Sequence, residues 1–170
     1  MAAKIIIIVL LISAINIGLT LGVCAAGKSI VGWAEIVSIY PGSVKIKAKP
    51  DTGADHSSLN AKKIDYFDLS GESWVRVELH NIEDRLETYQ ARIIRIAKIK
   101  RLGQGAVSRP TIKLGICMGR TYKEVEVNLT DRSGFTYQML IGRSFLKGSF
   151  LIDPELSFIS RVACMSAAEK

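Results

Sequence analysis

The chain is poor in the side chains that usually hold metals. Its 170 residues include two histidines, His56 and His80, and three cysteines. There is no H-E-x-x-H and no C-x-x-C, so the common zinc spacings are absent. The G-x-x-x-x-G-K-S/T spelling occurs at Gly22 to Ser29, where it straddles the end of the uncharged N-terminal run rather than joining a strand to a helix, which leaves ATP hydrolysis by this chain without support. No G-x-S-x-G elbow presents a serine nucleophile. Aromatic residues make up only 7%, which argues against a stacking platform for nucleic acid. Helical periodicity is missing after residue 27, as are solenoid repeats and low-complexity linkers.

What is present suits one globular domain. Apolar residues are 48% and charged residues 23%, enough to build a core. Lys and Arg number 23 against 16 Asp and Glu, a formal charge of +7. The segment from Ile5 to Ala26 carries no charge, follows Lys4 and ends in small residues. It reads as a signal peptide cleaved after Ala25 or Ala26, so the expected organisation is 1–26 signal peptide and 27–170 mature domain, exported to the periplasm. An uncleaved membrane anchor is the alternative, since this run is long enough to span a bilayer. Leu21-Gly22-Val23-Cys24 also approximates a lipoprotein box, with Val23 a poor fit. Cys117 and Cys164 remain after cleavage; they form either a disulfide or two buried thiols.

The mature chain reads as β-rich. Trp74 to His80, Ile112 to Ile116 and Glu124 to Leu129 alternate apolar and polar residues, giving each strand one buried face. Val44 to Lys49 is a shorter strand candidate, and Ser149 to Ile152 reads as a buried strand stopped by Asp153-Pro154. A short helix is expected after Gly142. Turns are expected at Pro41-Gly42, Ser70-Gly71, Gly103-Gln104-Gly105 and Ser133-Gly134. Many short strands with regular turns predict an all-β, closed or sandwiched architecture.

Two segments suggest chemistry. Asp51-Thr52-Gly53-Ala54-Asp55 follows a strand and presents a carboxylate at a turn, where Gly53 allows close backbone approach. Far downstream, Met139-Leu140-Ile141-Gly142-Arg143 is an apolar run ending in Gly and Arg. This pair resembles the retropepsin-like aspartic proteases. The resemblance spreads over Lys47 to Ala54, Ser57 to Ala61, Trp74-Val75, Ser108-Arg109-Pro110, Asp131-Arg132-Ser133 and Met139 to Arg143. Together these segments are similar to the bacterial RimB-like subfamily, also called ATP-dependent zinc proteases, over roughly residues 30–160.

The resemblance implies a retropepsin-like closed barrel with one short C-terminal helix. It implies that Asp51 is catalytic and that Thr52 and Gly53 shape its loop. Ala54, Asp55, Ile141, Gly142 and Arg143 would support that loop, with Arg143 paired to Asp55. Ser57, Ser58 and Arg109 are the substrate-contact candidates; for the serines, the residues themselves favour capping or turn roles. No cofactor is implied by the residues, and the zinc name finds no ligand set in the sequence. Two positions depart from the family pattern. Pro50 stands where a branched or long apolar residue is expected, and Gln138 replaces a usual proline. Either could alter loop geometry.

Aspartic catalysis needs two carboxylates that share a proton, one ionised and one protonated. The chain has one D-T-G, and Asp131-Arg132-Ser133-Gly134 places its glycine one position late. The second Asp is therefore expected from another copy, in a two-fold homodimer. The segment Arg92 to Arg101 holds Arg92, Arg95, Lys98, Lys100 and Arg101 with no acidic residue. It is either a solvated strand face or a strip that attracts acidic, glutamate-rich peptides. The family resemblance adds a functional link to an ATP-grasp glutamate ligase. A non-catalytic periplasmic binding or assembly module on the same fold is the rival reading.

Overall fold

The computed structural model describes residues 27–101 and 104–164, and the signal or anchor segment lies outside them. Eleven strands and one short helix follow in chain order. They are β1 (Ser29–Gly32), β2 (Glu35–Tyr40), β3 (Val44–Pro50), β4 (Ser57–Asn60), β5 (Ile64–Leu69) and β6 (Glu72–His80). Next come β7 (Leu86–Arg101), β8 (Gln104–Met118), β9 (Thr121–Thr130), β10 (Met139–Ile141), α1 (Arg143–Leu146) and β11 (Phe150–Asp153).

Six strands in the order β2-β3-β10-β4-β9-β8 close on themselves through β2–β8 pairing, Ser38 opposite Cys117. Closure removes the free edges of that sheet. Among the described residues, the all-β closed barrel with one short helix is thus what forms. Alternation fills its interior: Val37 and Ile39, Ile46 and Ala48, Ile112, Leu114 and Ile116, Val127 and Leu129, and Met139 and Ile141 are buried. Residues two apart on a strand share a face, so each run sends a row of side chains inward. Beyond β8 the sheet continues outward as β7, β6 and β5. The β5–β6 hairpin turns at Ser70-Gly71, where φ is 56° and 78°. That left-handed pair matches the twist of the flanking strands.

The short helix α1 lies at the end of β10. Phe145 is fully buried and stacks on Phe150 at 5.6 Å. Lys123 Nζ donates to the carbonyls of Phe145 (2.6 Å) and Lys147 (3.0 Å), satisfying the helix C-terminal end. The strand expected at Ser149 to Ile152 is β11, but it is not fully buried: Leu151 is exposed. It pairs in parallel with β1 in a separate two-stranded sheet. Buried Glu35 ties the segment around Gly32 to the one around Ser160. Its carboxylate accepts from the Gly32 amide (2.7 Å) and from the Ser160 amide and hydroxyl (3.1 and 2.8 Å). Cys117 and Cys164 form a disulfide with Cα atoms 6.0 Å apart, so the C-terminal segment is covalently held to β8.

Candidate active site

The D-T-G turn follows directly from β3, which pairs in parallel with β10. Asp51 donates its amide to the Ile141 carbonyl at 2.8 Å, extending that pairing by one residue. Its carboxylate Oδ1 accepts from the Gly53 amide at 2.9 Å. A Cβ on Gly53 would sit 3.2 Å from that same oxygen, so glycine leaves the carboxylate room. Arg143 then locks the turn from outside. Its backbone amide donates to Ala54 O (2.9 Å), and the Ser144 amide to Asp55 O (2.9 Å). The Arg143 guanidinium bonds Thr52 O at 2.7 Å and pairs with the Asp55 carboxylate. Gly142 is wedged beneath: a Cβ there would lie 2.5 Å from the His56 carbonyl carbon and 2.9 Å from Ser57 N. The structure therefore brings together Asp51, Thr52, Gly53, Ala54, Asp55, Ile141, Gly142 and Arg143.

Neither departure from the family pattern disturbs this loop. The Asp51 amide points to β10, so backbone alternation points the Pro50 nitrogen the other way. On that side β2 pairing ends at Glu35↔Ala48, and no ladder bond is lost. Gln138 uses its side chain: Oε1 accepts from Asn60 Nδ2 at 2.9 Å. Its carbonyl accepts the Asn60 amide at 2.7 Å. Asn60 Oδ1 in turn accepts the Arg132 amide at 2.7 Å. Gln138 thereby helps anchor the segment that forms the wall of the cleft.

That wall is residues 131–137. Asp131 Oδ1 accepts from the Ser133 amide (2.9 Å) and hydroxyl (2.6 Å), which pulls its carboxyl below the usual range. Arg132 is half-buried; its guanidinium lies 4.5 Å from the Phe135 ring centroid and donates to Tyr137 O at 3.4 Å. Tyr137 packs edge-on against Trp33 (5.7 Å), and Lys49 lies over the same indole at 5.8 Å. Between this wall and the D-T-G turn is a cleft of about 470 Å³, lined among others by Lys49, Asp51, Thr52, Arg132 and Tyr137. Burial and then the positive charge of Arg109 lower the Arg132 pKa, while Asp51 opposes them. Two arginines from distant parts of the chain thus share one field with the candidate catalytic carboxylate.

Other sequence expectations change. Ser57 is fully buried and its Oγ accepts the Gly142 amide at 3.0 Å, while Ser58 is buried beside it on β4. Neither serine is exposed as a substrate contact, because β4 is buried at all four positions. Arg109, on β8, is half-buried and reaches the field of Arg132. The basic strip on β7 is partly neutralised: Arg92 pairs with Glu72 (2.6 Å) and Arg95 with Glu126 (2.8 Å). Gly103 of the expected Gly103-Gln104-Gly105 turn lies outside the described residues. His80 sits 3.4 Å from Asp84, and His56 is exposed at the turn. Among the described residues no three His, Cys, Asp or Glu side chains converge, so these residues do not fit the zinc of the subfamily's name. Sequence reasoning missed Arg132, Asn60 and Gln138 as a connected unit; only Asp131-Arg132-Ser133 hinted at it.

A model of the RimB-like family, described as the retropepsin-like aspartic endopeptidase RimB, matches residues 30–162. The chain belongs to the RimB-like family. Its curated relatives include proteins named "Probable alpha-L-glutamate ligase" from Shewanella pealeana and Shewanella halifaxensis. The first is 35% identical over 77% of this chain, the second 36% over 77%. The RimB-like chain spans about 30% of the length of these relatives. A solved structure, the protein Lpg0085 with unknown function from Legionella pneumophila, superposes with a TM-score of 0.67 at 26% identity. That match covers 79% of this chain and 100% of the Legionella chain.

Proposed function

We propose that this RimB-like chain is an exported aspartic endopeptidase, active as a homodimer and directed at acidic peptides. The observation that carries the reading is the braced D-T-G turn. Asp51 is held by the Ile141 carbonyl and by Gly53, and Arg143 fixes the turn around it. A rigid carboxylate at a cleft is what general acid–base hydrolysis needs.

One chain supplies one such carboxylate, and a second copy would supply the other. Two adjacent carboxylates cannot both ionise, so they hold one proton between them. The ionised Asp takes a proton from water as its oxygen attacks the scissile carbonyl carbon. The protonated Asp gives its proton to the carbonyl oxygen. Collapse of the tetrahedral diol breaks the C–N bond: the Asp that took the water proton gives it to the leaving nitrogen, and the other Asp regains a proton from a diol hydroxyl. The separate β1–β11 sheet, with exposed Ile30 and Leu151, supports pairing between copies, because such edges and apolar side chains favour association. The Cys117–Cys164 disulfide supports an oxidising compartment and thus export. The ligase names of the relatives support a functional link to an ATP-grasp glutamate ligase.

The test incubates wild type and Asp51→Asn with a peptide pool containing glutamate-rich members, with and without chelator, and reads products by mass spectrometry. Cleavage by wild type alone, unaffected by chelator, is expected. Cleavage retained by Asp51→Asn would overturn the reading.

A further inference from the structure

We infer that Arg132 is the specificity residue of the Asp51 cleft and binds a carboxylate of the ligand. The inference rests on that cleft being the substrate site. Arg132 lines the same cleft as Asp51 and Thr52. It is not a swinging surface side chain. Its backbone is pinned by Asn60, its guanidinium lies on Phe135, and one nitrogen is directed to Tyr137 O at 3.4 Å. A guanidinium carries five N–H donors, and Tyr137 O takes one of them. The remaining fork is the geometry that receives a carboxylate through two parallel bonds.

The local charge balance favours an anion. Lys49 lines the cleft, and Arg109 acts on Arg132 as a second positive charge. Against them stands Asp51, which in the catalytic dyad shares a proton with its counterpart. An anionic group seated on Arg132 makes a charge-assisted pair, and a neutral group of equal size does not. On the β7 strip Arg92 and Arg95 are bound to Glu72 and Glu126, and the residues that line the Asp51 cleft come from other segments. The carboxylate belongs to an acidic side chain or to a peptide C-terminus, since the chemistry is the same.

The test reads binding, so it stands apart from turnover. Peptides with a reduced, uncleavable central bond are made in pairs that place Glu or Gln at each position around it. Each is made with a free and an amidated C-terminus. Dissociation constants are measured by calorimetry for the full chain as wild type, Arg132→Gln and Arg132→Lys. For the best position, wild type is expected to prefer Glu over Gln by about tenfold, as a charge-assisted pair predicts. Arg132→Gln should reduce that ratio to about twofold or less, and Arg132→Lys should retain part of it, because a point charge lacks the fork. If the preference follows the free C-terminus instead, the carboxylate read is terminal. An unchanged Glu preference in Arg132→Gln would overturn the inference. So would wild type with no preference anywhere, or no binding at millimolar peptide. If Arg132→Gln does not fold, the ratio in Arg132→Lys decides, and a ratio equal to wild type overturns it. Absence of cleavage in the hydrolysis assay, with the binding ratio intact, would remove the peptidase reading and leave this one standing.

Discussion

Replacing Gly142 by alanine should damage the protein more than its location on a short strand end suggests. Its φ of −82° is open to any residue, so the constraint is steric. The added methyl would lie 2.5 and 2.6 Å from the His56 carbonyl carbon and oxygen and 2.9 Å from Ser57 N. All three are backbone atoms, which cannot rotate away. Either β10 or the start of β4 must move. Overpacking of this kind costs about 1–3 kcal/mol. The same movement stretches the 3.0 Å bond from the Gly142 amide to Ser57 Oγ, worth about 0.5–1.5 kcal/mol. The expected total is about 2–4 kcal/mol, read as a fall in urea midpoint at constant slope. Ser57→Ala, which leaves the buried amide unpaired, should cost about 1–3 kcal/mol. The double variant should lose less than the sum, because both changes remove one bond. A Gly142→Ala cost below about 0.5 kcal/mol would refute the wedge, since that is the scatter of neutral surface changes.

Three further outcomes follow from the same contacts. Arg143→Gln removes exposed bonds to Thr52 O and Asp55, so stability should fall by no more than about 1 kcal/mol while cleavage drops at least about tenfold; a parallel loss of both would mean that Arg143 only supports folding. Opening the Cys117–Cys164 bridge, which closes a 47-residue separation, should cost about 4 kcal/mol and lower the melting temperature in reductant; alkylation of both cysteines without reductant would contradict the bond. The Tyr89 phenol donates to Tyr40 O at 2.8 Å, and burial, with Tyr122 and Glu124 nearby, pushes its pKa up from 10.0 to about 12. The folded state therefore holds this proton more tightly than the unfolded chain, so its contribution is full below pH 10 and is lost as pH rises from about 10 to about 12. The stability gap between wild type and Tyr89→Phe should narrow across that window, and a constant gap would refute it.

Strands with one wet face were legible in the sequence, because their alternation writes burial directly into residue order. Trp74 to His80 lies in β6, Ile112 to Ile116 in β8 and Glu124 to Leu129 in β9. Strand β4 was not legible as a core element: Ser57-Ser58-Leu59-Asn60 is buried at all four positions, so no polar face marks it. The polar atoms there are satisfied by residues far along the chain, as Ser57 is by Gly142 and Asn60 by Gln138. The same holds for the cleft. Asp51 and Arg143 carry motifs with short spacing rules, whereas Arg109 is brought towards Arg132 only by the β8–β9 register, Thr111 opposite Asn128. The bridge from Cys117 to Cys164 also depended on distance, which residue order does not contain.

Mixing wild-type and Asp51→Asn protomers tests whether two copies build one catalytic dyad. Protomers are equilibrated at varied ratios and constant total concentration, and cleavage per total protein is measured. With one Asp51 from each copy, activity should fall as the square of the wild-type fraction, to about one quarter in an equal mixture. A linear fall to about one half would mean that each chain works alone, and the dimeric dyad would be wrong.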